Sequence, residues 1–385
     1  MTTIRTSNNP AMLKWARDEV GYSLEQASNA IGISIDILQK AEAGDHQLTL
    51  NQLRTAAVKY NCPFGYFYFK DLPHKKSFEP VPDFRIDPAF IGVNHYRLFL
   101  EIKKARDQRL VFLELAKTLE NPVKKFQVLK ETNISKAAKL VRRRLNVGEA
   151  EIASLKFEQS YSYWKSKIEH DGVLVYETQY LPEESGVIGV AIYYPEAPII
   201  LIKRGGRNNA RKLFTLLHEY AHLLKGSSAM IDERGLTSDK TNSRIEREEV
   251  ACNRLAAEIL VPTEEVRVSD YSRLEPVEQM ERLAQLFKVT YSTAAVCLKR
   301  LGLVNQNTLK ELLELRNQAN QKPQKKKSGE VRIPREVLMR LDLGRPMFNV
   351  VMQAYSNGVL DVFDASKILN LRVKKIDNLL AGAGH

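Results

Sequence analysis

Two histidines four residues apart, with a glutamate beside the first, occupy the stretch FTLLHEYAHLLKG between Phe214 and Gly226. On a helix, residues i and i+4 leave the same face one turn apart. His218 and His222 can therefore offer two nitrogens to one Zn²⁺ at about 2.0–2.1 Å. Glu219 projects beside them, where a carboxylate can take the proton of an attacking water. Leu217, Ala221 and Leu224 remain to anchor the helix in a core. A motif this short needs a third ligand, a carboxylate or imidazole on a nearby rigid element.

The stretch EREEVACNRLAAEILVP, Glu246 to Pro262, supplies the candidates. Val250, Leu255, Ile259 and Leu260, with small Ala251, Ala256 and Ala257, mark a helix packed closely against a neighbour. Glu249 and Asn253 stand i and i+4, so Glu249 can bind the metal while Asn253 orients a ligating histidine. Glu246 and Glu248 are alternatives. Glu246 shares the face of Glu249 and Asn253, whereas Glu248 is expected to point away, about 100° round the helix. Cys252 reads as a small buried residue rather than a competing thiolate ligand. An electrophile should stabilise the developing oxyanion, and Tyr161, His170, Tyr193 and Tyr271 are the candidates.

The elements that must position these residues are mainly helical, and the expected class is α+β. Helices are predicted over Ala11–Glu19, Leu24–Ile31, Ser34–Glu42, Leu50–Tyr60 and Phe64–Phe69, with Ser23 and Gln26 as a capping box. A Pro-rich linker, DLPHKKSFEPVPDFR, leads to a helical region over His95–Lys167 that contains the basic run KLVRRRLNV and the aromatic run FEQSYSYW. GVLVYET, GVIGVAIYY and PIILIK read as strands of a short β-meander. Asn208 or Asn209 is the expected cap of the histidine helix. Further helices are expected over Ser243–Leu260, Pro276–Lys288 and Ser292–Leu301. The polar stretch NQANQKPQKKKSG then reads as a linker.

In SLEQASNAIGISIDILQKAEAG, a small residue, a three-residue turn at Gly32 and a second apolar-periodic helix form a helix-turn-helix pattern. With LTLNQLRTAA, this segment resembles the Cro/repressor-type (XRE-like) helix-turn-helix family over about 60 residues. The resemblance implies DNA contacts from Gln26, Ser34, Gln39 and Lys40. ASNAIGISI is echoed by ASKILNLRV near the end of the chain and more loosely by AQLFKVTYS. Helical hairpins with the same packing needs give the same pattern, and that reading is taken for both later copies.

RKLFTLLHEYAHLLKG followed by EVACNRLAAEILVP resembles the ImmA/IrrE family of zinc metallopeptidases, over roughly residues 172–304. Tyr220 stands where that family usually has leucine. The resemblance implies a gluzincin-like site with His218, His222 and Glu249 as ligands of Zn²⁺ and Glu219 as base. It also implies a substrate: a partner repressor or antitoxin, cut in response to stress or DNA damage. The expected division is a helix-turn-helix domain over 1–72, a linker and basic helical region over 73–155 and the peptidase domain over 156–316. A basic linker over 317–330 and a small helical domain over 331–385 complete it.

The whole-chain bounds agree. The 385 residues are 44% hydrophobic and 27% charged, with three scattered cysteines, which disfavours a disulfide framework and fits a reducing cytosol. No apolar run of about 20 residues is present, and the opening MTTIRTSNNP lacks the basic and apolar regions of a secretory signal. A cytoplasmic location without membrane partners is therefore expected. The net charge of +12 is unevenly placed. Residues 1–72 hold 7 basic and 7 acidic side chains, residues 73–155 hold 17 and 10, and residues 321–385 hold 12 and 6. Such excess suits a phosphate-bearing partner or a solvated face, and Arg142, Arg143 and Arg144 form the candidate basic patch.

Overall fold

The computed structural model describes residues 8–19, 22–60, 62, 64–68, 96–178, 187–204, 209–227, 229–232, 244–266, 270–321 and 335–376. The chain forms two compact units, and the boundary between them falls within one helix, α5, after Lys104.

The first unit contains α1 (Pro10–Glu19), α2 (Leu24–Ile31), α3 (Ile35–Ala43), α4 (Leu50–Lys59) and a 3₁₀ turn at Phe64–Tyr68. Local chemistry sets these boundaries. Ser23 and Gln26 close a capping box on α2, and Thr49 and Gln52 do the same for α4. Between α2 and α3 the chain turns through Gly32 at φ 78°, a left-handed conformation that costs glycine nothing. Leu13, Ala16, Ala27, Leu38, Leu53 and Phe67 make the core. Arg17 ties α1 to α3 by a forked pair of hydrogen bonds to Glu42, at 2.6 and 2.9 Å.

The second unit begins within α5 (Tyr96–Thr118) and continues with α6 (Ile134–Arg144), α7 (Glu149–Ser154) and α8 (Ser160–His170). Residues 119–132 are not helical, so the expected continuous helical region is interrupted. Strands β1 (Leu174–Thr178), β2 (Val187–Ile192) and β3 (Ile199–Lys203) lead to α9 (Asn209–Leu224) and β4 (Ala229–Asp232). Then come α10 (Arg244–Leu260), α11 (Pro276–Phe287), α12 (Tyr291–Arg300), α13 (Gln306–Gln321), α14 (Arg335–Ser356) and α15 (Val362–Leu369). Asn208 lies outside the described residues, while Asn209 opens α9.

The sheet order is β1-β3-β2-β4. β2 pairs antiparallel with β3, as consecutive meander strands do, but β1 pairs parallel with β3 and not with β2. β4, absent from the sequence reading, adds antiparallel to β2. β1 and β3 are apolar runs buried on both faces, which alternation patterns cannot place in order. α9 lies on the sheet, and α10 packs along α9. Ala137, Val141, Leu145 and Ile152 of α6 and α7 belong to the same core as α9. Residues 134–154 thus pack into the core of the body that carries HEYAH. Among the described residues, no helix is long and apolar enough to cross a membrane.

Candidate metal centre

α9 meets the sheet at Gly189 of β2. A Cβ there would stand 2.5 Å from Glu219 Oε1, 2.7 Å from Thr215 Cγ2 and 2.9 Å from Glu219 Cγ. The missing side chain therefore makes the seat in which the Glu219 carboxylate rests. The pairing of β2 with β4 shifts register between Val187 and Gly189, at the same place.

His218, Glu219 and His222 are 0–1% exposed. The two Nε2 atoms lie 2.9 Å apart. Glu249 Oε2 is 3.1 Å from His218 Nε2, and Glu249 Oε1 is 3.2 Å from His222 Nε2. Donors bonded at about 2.0–2.1 Å to a tetrahedral ion stand roughly 3.3 Å apart; the nitrogen–nitrogen separation is near that edge, and Glu249 meets each nitrogen with a different oxygen. Two ring nitrogens that face each other and one carboxylate are the donor set a divalent cation satisfies. Both Glu219 oxygens are buried without a hydrogen-bond partner, as expected of a carboxylate built to face an ion and its water. The residues present fit the implied metal.

The outer ring nitrogens are held from α10. His218 Nδ1 lies 2.8 Å from Asn253 Oδ1, an acceptor that keeps the proton on Nδ1 and the Nε2 lone pair inward. His222 Nδ1 is ringed by Ser227 Oγ at 3.5 Å, Cys252 Sγ at 3.6 Å and Glu248 Oε1 at 3.7 Å. Glu248 thus faces His222 instead of pointing away. Ala256, fully buried on the same face as Glu249 and Asn253, leaves room for α10 against α9, and two adjacent i, i+4 pairs, 249/253 and 248/252, both reach the histidines. Cys252 sits at the outer nitrogen, away from the Nε2 cluster. The side chain of Glu246 lies outside the described residues.

Electrostatics follow burial and pairing. Burial pushes the Glu219 carboxyl well above the usual carboxylate range and pulls the His218 imidazole below its ordinary value. Burial also opposes charge on Glu249, but its close contacts with His218 and His222 prevail and hold it at about 2. The contact with His222 holds Glu248 at about 2 as well.

A peptidase family model described as the IrrE N-terminal-like domain matches residues 169–299, and a helix-turn-helix model matches residues 13–67. The chain carries an IrrE/ImmA-like peptidase domain and an N-terminal helix-turn-helix domain. No curated protein and no solved structure matches the chain significantly. The family match and the His218–Glu219–x–x–His222/Glu249 cluster together support a zinc metalloendopeptidase active site.

Other expected site residues fall elsewhere. In the peptidase domain, Tyr161 is buried and its hydroxyl donates to Glu177, so it is not free to meet an oxyanion. His170 is exposed at the end of α8. Tyr193 lies beside Gly226, beyond the C-terminus of α9, and Arg282 stacks on the ring of Tyr271. The basic patch also needs correction. Arg142 is buried and donates to the carbonyl of Ile259 at 2.9 Å and to Glu265 at 3.2 Å. Arg144 pairs with Asp171 at 2.6 Å and stacks over Phe126. Both close the α6 packing, and Arg143 is the exposed member. A Lys/Arg run on an amphipathic helix does not reveal which members the tertiary contacts bury.

In the helix-turn-helix domain, the Gln26 side chain accepts from Ser23 N and the Ser34 hydroxyl from Ile37 N, so both serve as caps. Gln39 and Lys40 are exposed on α3, with Lys40 paired to Asp36 at 2.9 Å. The role of Gly189 escaped the sequence reading, although an isolated glycine inside an apolar strand is itself a signal of close approach.

Proposed function

We propose that the protein is a cytosolic zinc endopeptidase of gluzincin type that cleaves a specific partner repressor or antitoxin under stress or DNA damage, and that its helix-turn-helix domain binds DNA. The observation that carries this reading is the convergence of His218, His222 and Glu249 on one point beside a buried, unpartnered Glu219 carboxylate. His218 Nε2, His222 Nε2 and Glu249 would hold Zn²⁺. When bound, the ion supplies a Lewis acid that polarises the peptide carbonyl and makes water nucleophilic at neutral pH. Glu219 takes the proton of the attacking water and passes it to the leaving amine. Asn253 orients His218, and Gly189 keeps the Glu219 carboxylate within reach. Gln39 and Lys40, exposed near the middle of α3, are the side chains offered to DNA, with Gln26 and Ser34 fixing the turn.

The test pairs the wild type with Glu219→Gln, measuring metal content and cleavage of the regulator encoded beside the gene, with and without DNA. Zinc should stay and cleavage should fall by roughly 10²–10⁴-fold or more, because an amide cannot accept the proton. Equal cleavage by both proteins refutes the enzyme reading. Absence of cleavage by either favours a metal-sensing regulator built on a peptidase fold.

A further inference from the structure

The echo between ASNAIGISI and ASKILNLRV extends far beyond nine residues in the structure. Helix α14 breaks at Gly344, where φ is 72° and ψ 163°, so its second arm starts afresh near Pro346. From this arm to residue 376 the chain repeats α1, α2 and the start of α3 at one constant offset, without insertion or deletion. α2 and α15 are both eight residues long and fall in register. Ser23 caps the first by accepting from Gln26 N, and Asp361 caps the second by accepting from Asp364 N. Each helix then ends on a left-handed residue, Gly32 at φ 78° and Asn370 at φ 51°. Asparagine is among the few side chains that tolerate that conformation. Each turn is closed by the same six-residue backbone bond, Ile33 N to Ser28 O and Leu371 N to Ser366 O, both 3.0 Å.

The buried positions coincide as well. Met12, Leu13 and Ala16 of α1 correspond to Val350, Val351 and Ala354. Ala27, Ile31 and Leu38 correspond to Ala365, Leu369 and Ile376, and all twelve residues are buried. A left-handed residue and a six-residue bond also end α11, at Lys288 with Val289 N to Ala284 O, so what marks this pair is the N-cap, the small residue at the crossing and both cores falling at the same offset as well. The helix-turn-helix match stops at residue 67, and nothing in it extends to the second copy.

The copies differ in charge at the place where such a motif meets its ligand. The first residues of the second helix are the ones that reach a groove. Ser34, Asp36 and Ile37 occupy these positions in the first copy, and Arg372, Lys374 and Lys375 in the second. Arg372 and Lys374 are exposed. Residues 10–38 hold 2 basic and 4 acidic side chains, and the matching residues 348–376 hold 4 and 2. The first copy, net acidic over these residues, lacks the phosphate-neutralising charge that supplies most affinity for a duplex, and the basic copy has it.

We propose that residues 348–376 form a second helix-turn-helix unit that binds duplex DNA through Arg372, Lys374 and Lys375. This assignment does not require the N-terminal unit to read DNA. The test uses the full-length protein and a mixed-sequence duplex of about 40 base pairs, long enough for several helical turns, with affinity measured across a salt series. Three lost phosphate contacts should flatten the slope of log K against log salt by up to about 2.7, at ~0.9 per contact. That corresponds to roughly a hundredfold weaker binding at 0.15 M salt for Arg372→Ala/Lys374→Ala/Lys375→Ala. Lys374→Glu alone should act in the same direction, and Arg372→Lys should retain the slope. The proposal is overturned if the triple variant, with an unchanged thermal melt, keeps the wild-type slope and affinity. It is equally overturned if the wild type does not bind the duplex.

Discussion

Replacing Gly189 by alanine tests the site through a residue that touches neither metal nor substrate. The added Cβ would stand 2.5 Å from Glu219 Oε1 and 2.7 Å from Thr215 Cγ2, where ordinary contact begins near 3.4 Å. Both must yield, Glu219 Oε1 by about 0.9 Å and Thr215 Cγ2 by about 0.7 Å, and the two differ in freedom. Thr215 is buried and β-branched on a helix, which restricts its χ1. Glu219 has three rotatable bonds and no hydrogen-bond partner to hold it, so its carboxylate is the group that moves further. A misplacement of about 1 Å costs on the order of 10² in rate, while overpacking of this kind costs about 1–3 kcal/mol of stability. Gly189→Ala should therefore keep its zinc, melt a few degrees lower and lose roughly a hundredfold in kcat against the proposed regulator substrate. Adding Thr215→Ser removes the methyl clash, which should recover stability without recovering activity. Full activity in Gly189→Ala, with normal metal content, would refute the placement of Glu219 against β2.

Three further outcomes follow from the same contacts. Asn253→Ala and Glu248→Ala should each weaken zinc binding by roughly 10–100-fold, as loss of a ligand's outer partner does; chelator competition measures this, and unchanged affinity for Glu248→Ala would leave Ser227 and Cys252 as sufficient supports for His222. Arg142→Ala should destabilise the peptidase domain by about 3 kcal/mol, because it strands the Ile259 carbonyl and Glu265 in a buried contact, and a denaturant curve matching the wild type would restore Arg142 as a surface charge. Glu177 accepts from Tyr161 at 3.0 Å, Lys165 at 3.2 Å and Lys212 at 2.7 Å. Burial opposes its charge, but the two lysines prevail and hold it below the ordinary carboxylate value. Its contribution is therefore complete at neutral pH and fades as pH falls below about 4.3, the unfolded value. The difference in Tm between wild type and Glu177→Gln should shrink from pH 7 to pH 3.5, and a constant difference would contradict that account.

The residues of the metal cluster were legible in the sequence because helical periodicity acts locally. His218 and His222 had to share a face, and Glu249 and Asn253 had to share another, whatever the fold. The α2 and α3 boundaries were legible for the same reason, since Ser23, Gln26, Gly32 and Ser34 act on backbone groups within a few residues. What tertiary structure decided was everything set by approach between distant segments. The order β1-β3-β2-β4 could not be read from apolar runs that look alike from both sides. Side-chain direction on α10 was predicted from one helix, but Glu248 faces His222 because α9 lies close enough to meet two adjacent edges. Arg142 and Arg144 looked like surface charge until the end of α10 and Asp171 supplied partners. The second helix-turn-helix copy was visible in sequence only as a nine-residue echo. A repeated pattern of small and apolar residues acquires its meaning once the same caps, the same left-handed residue and the same buried positions are seen in one register.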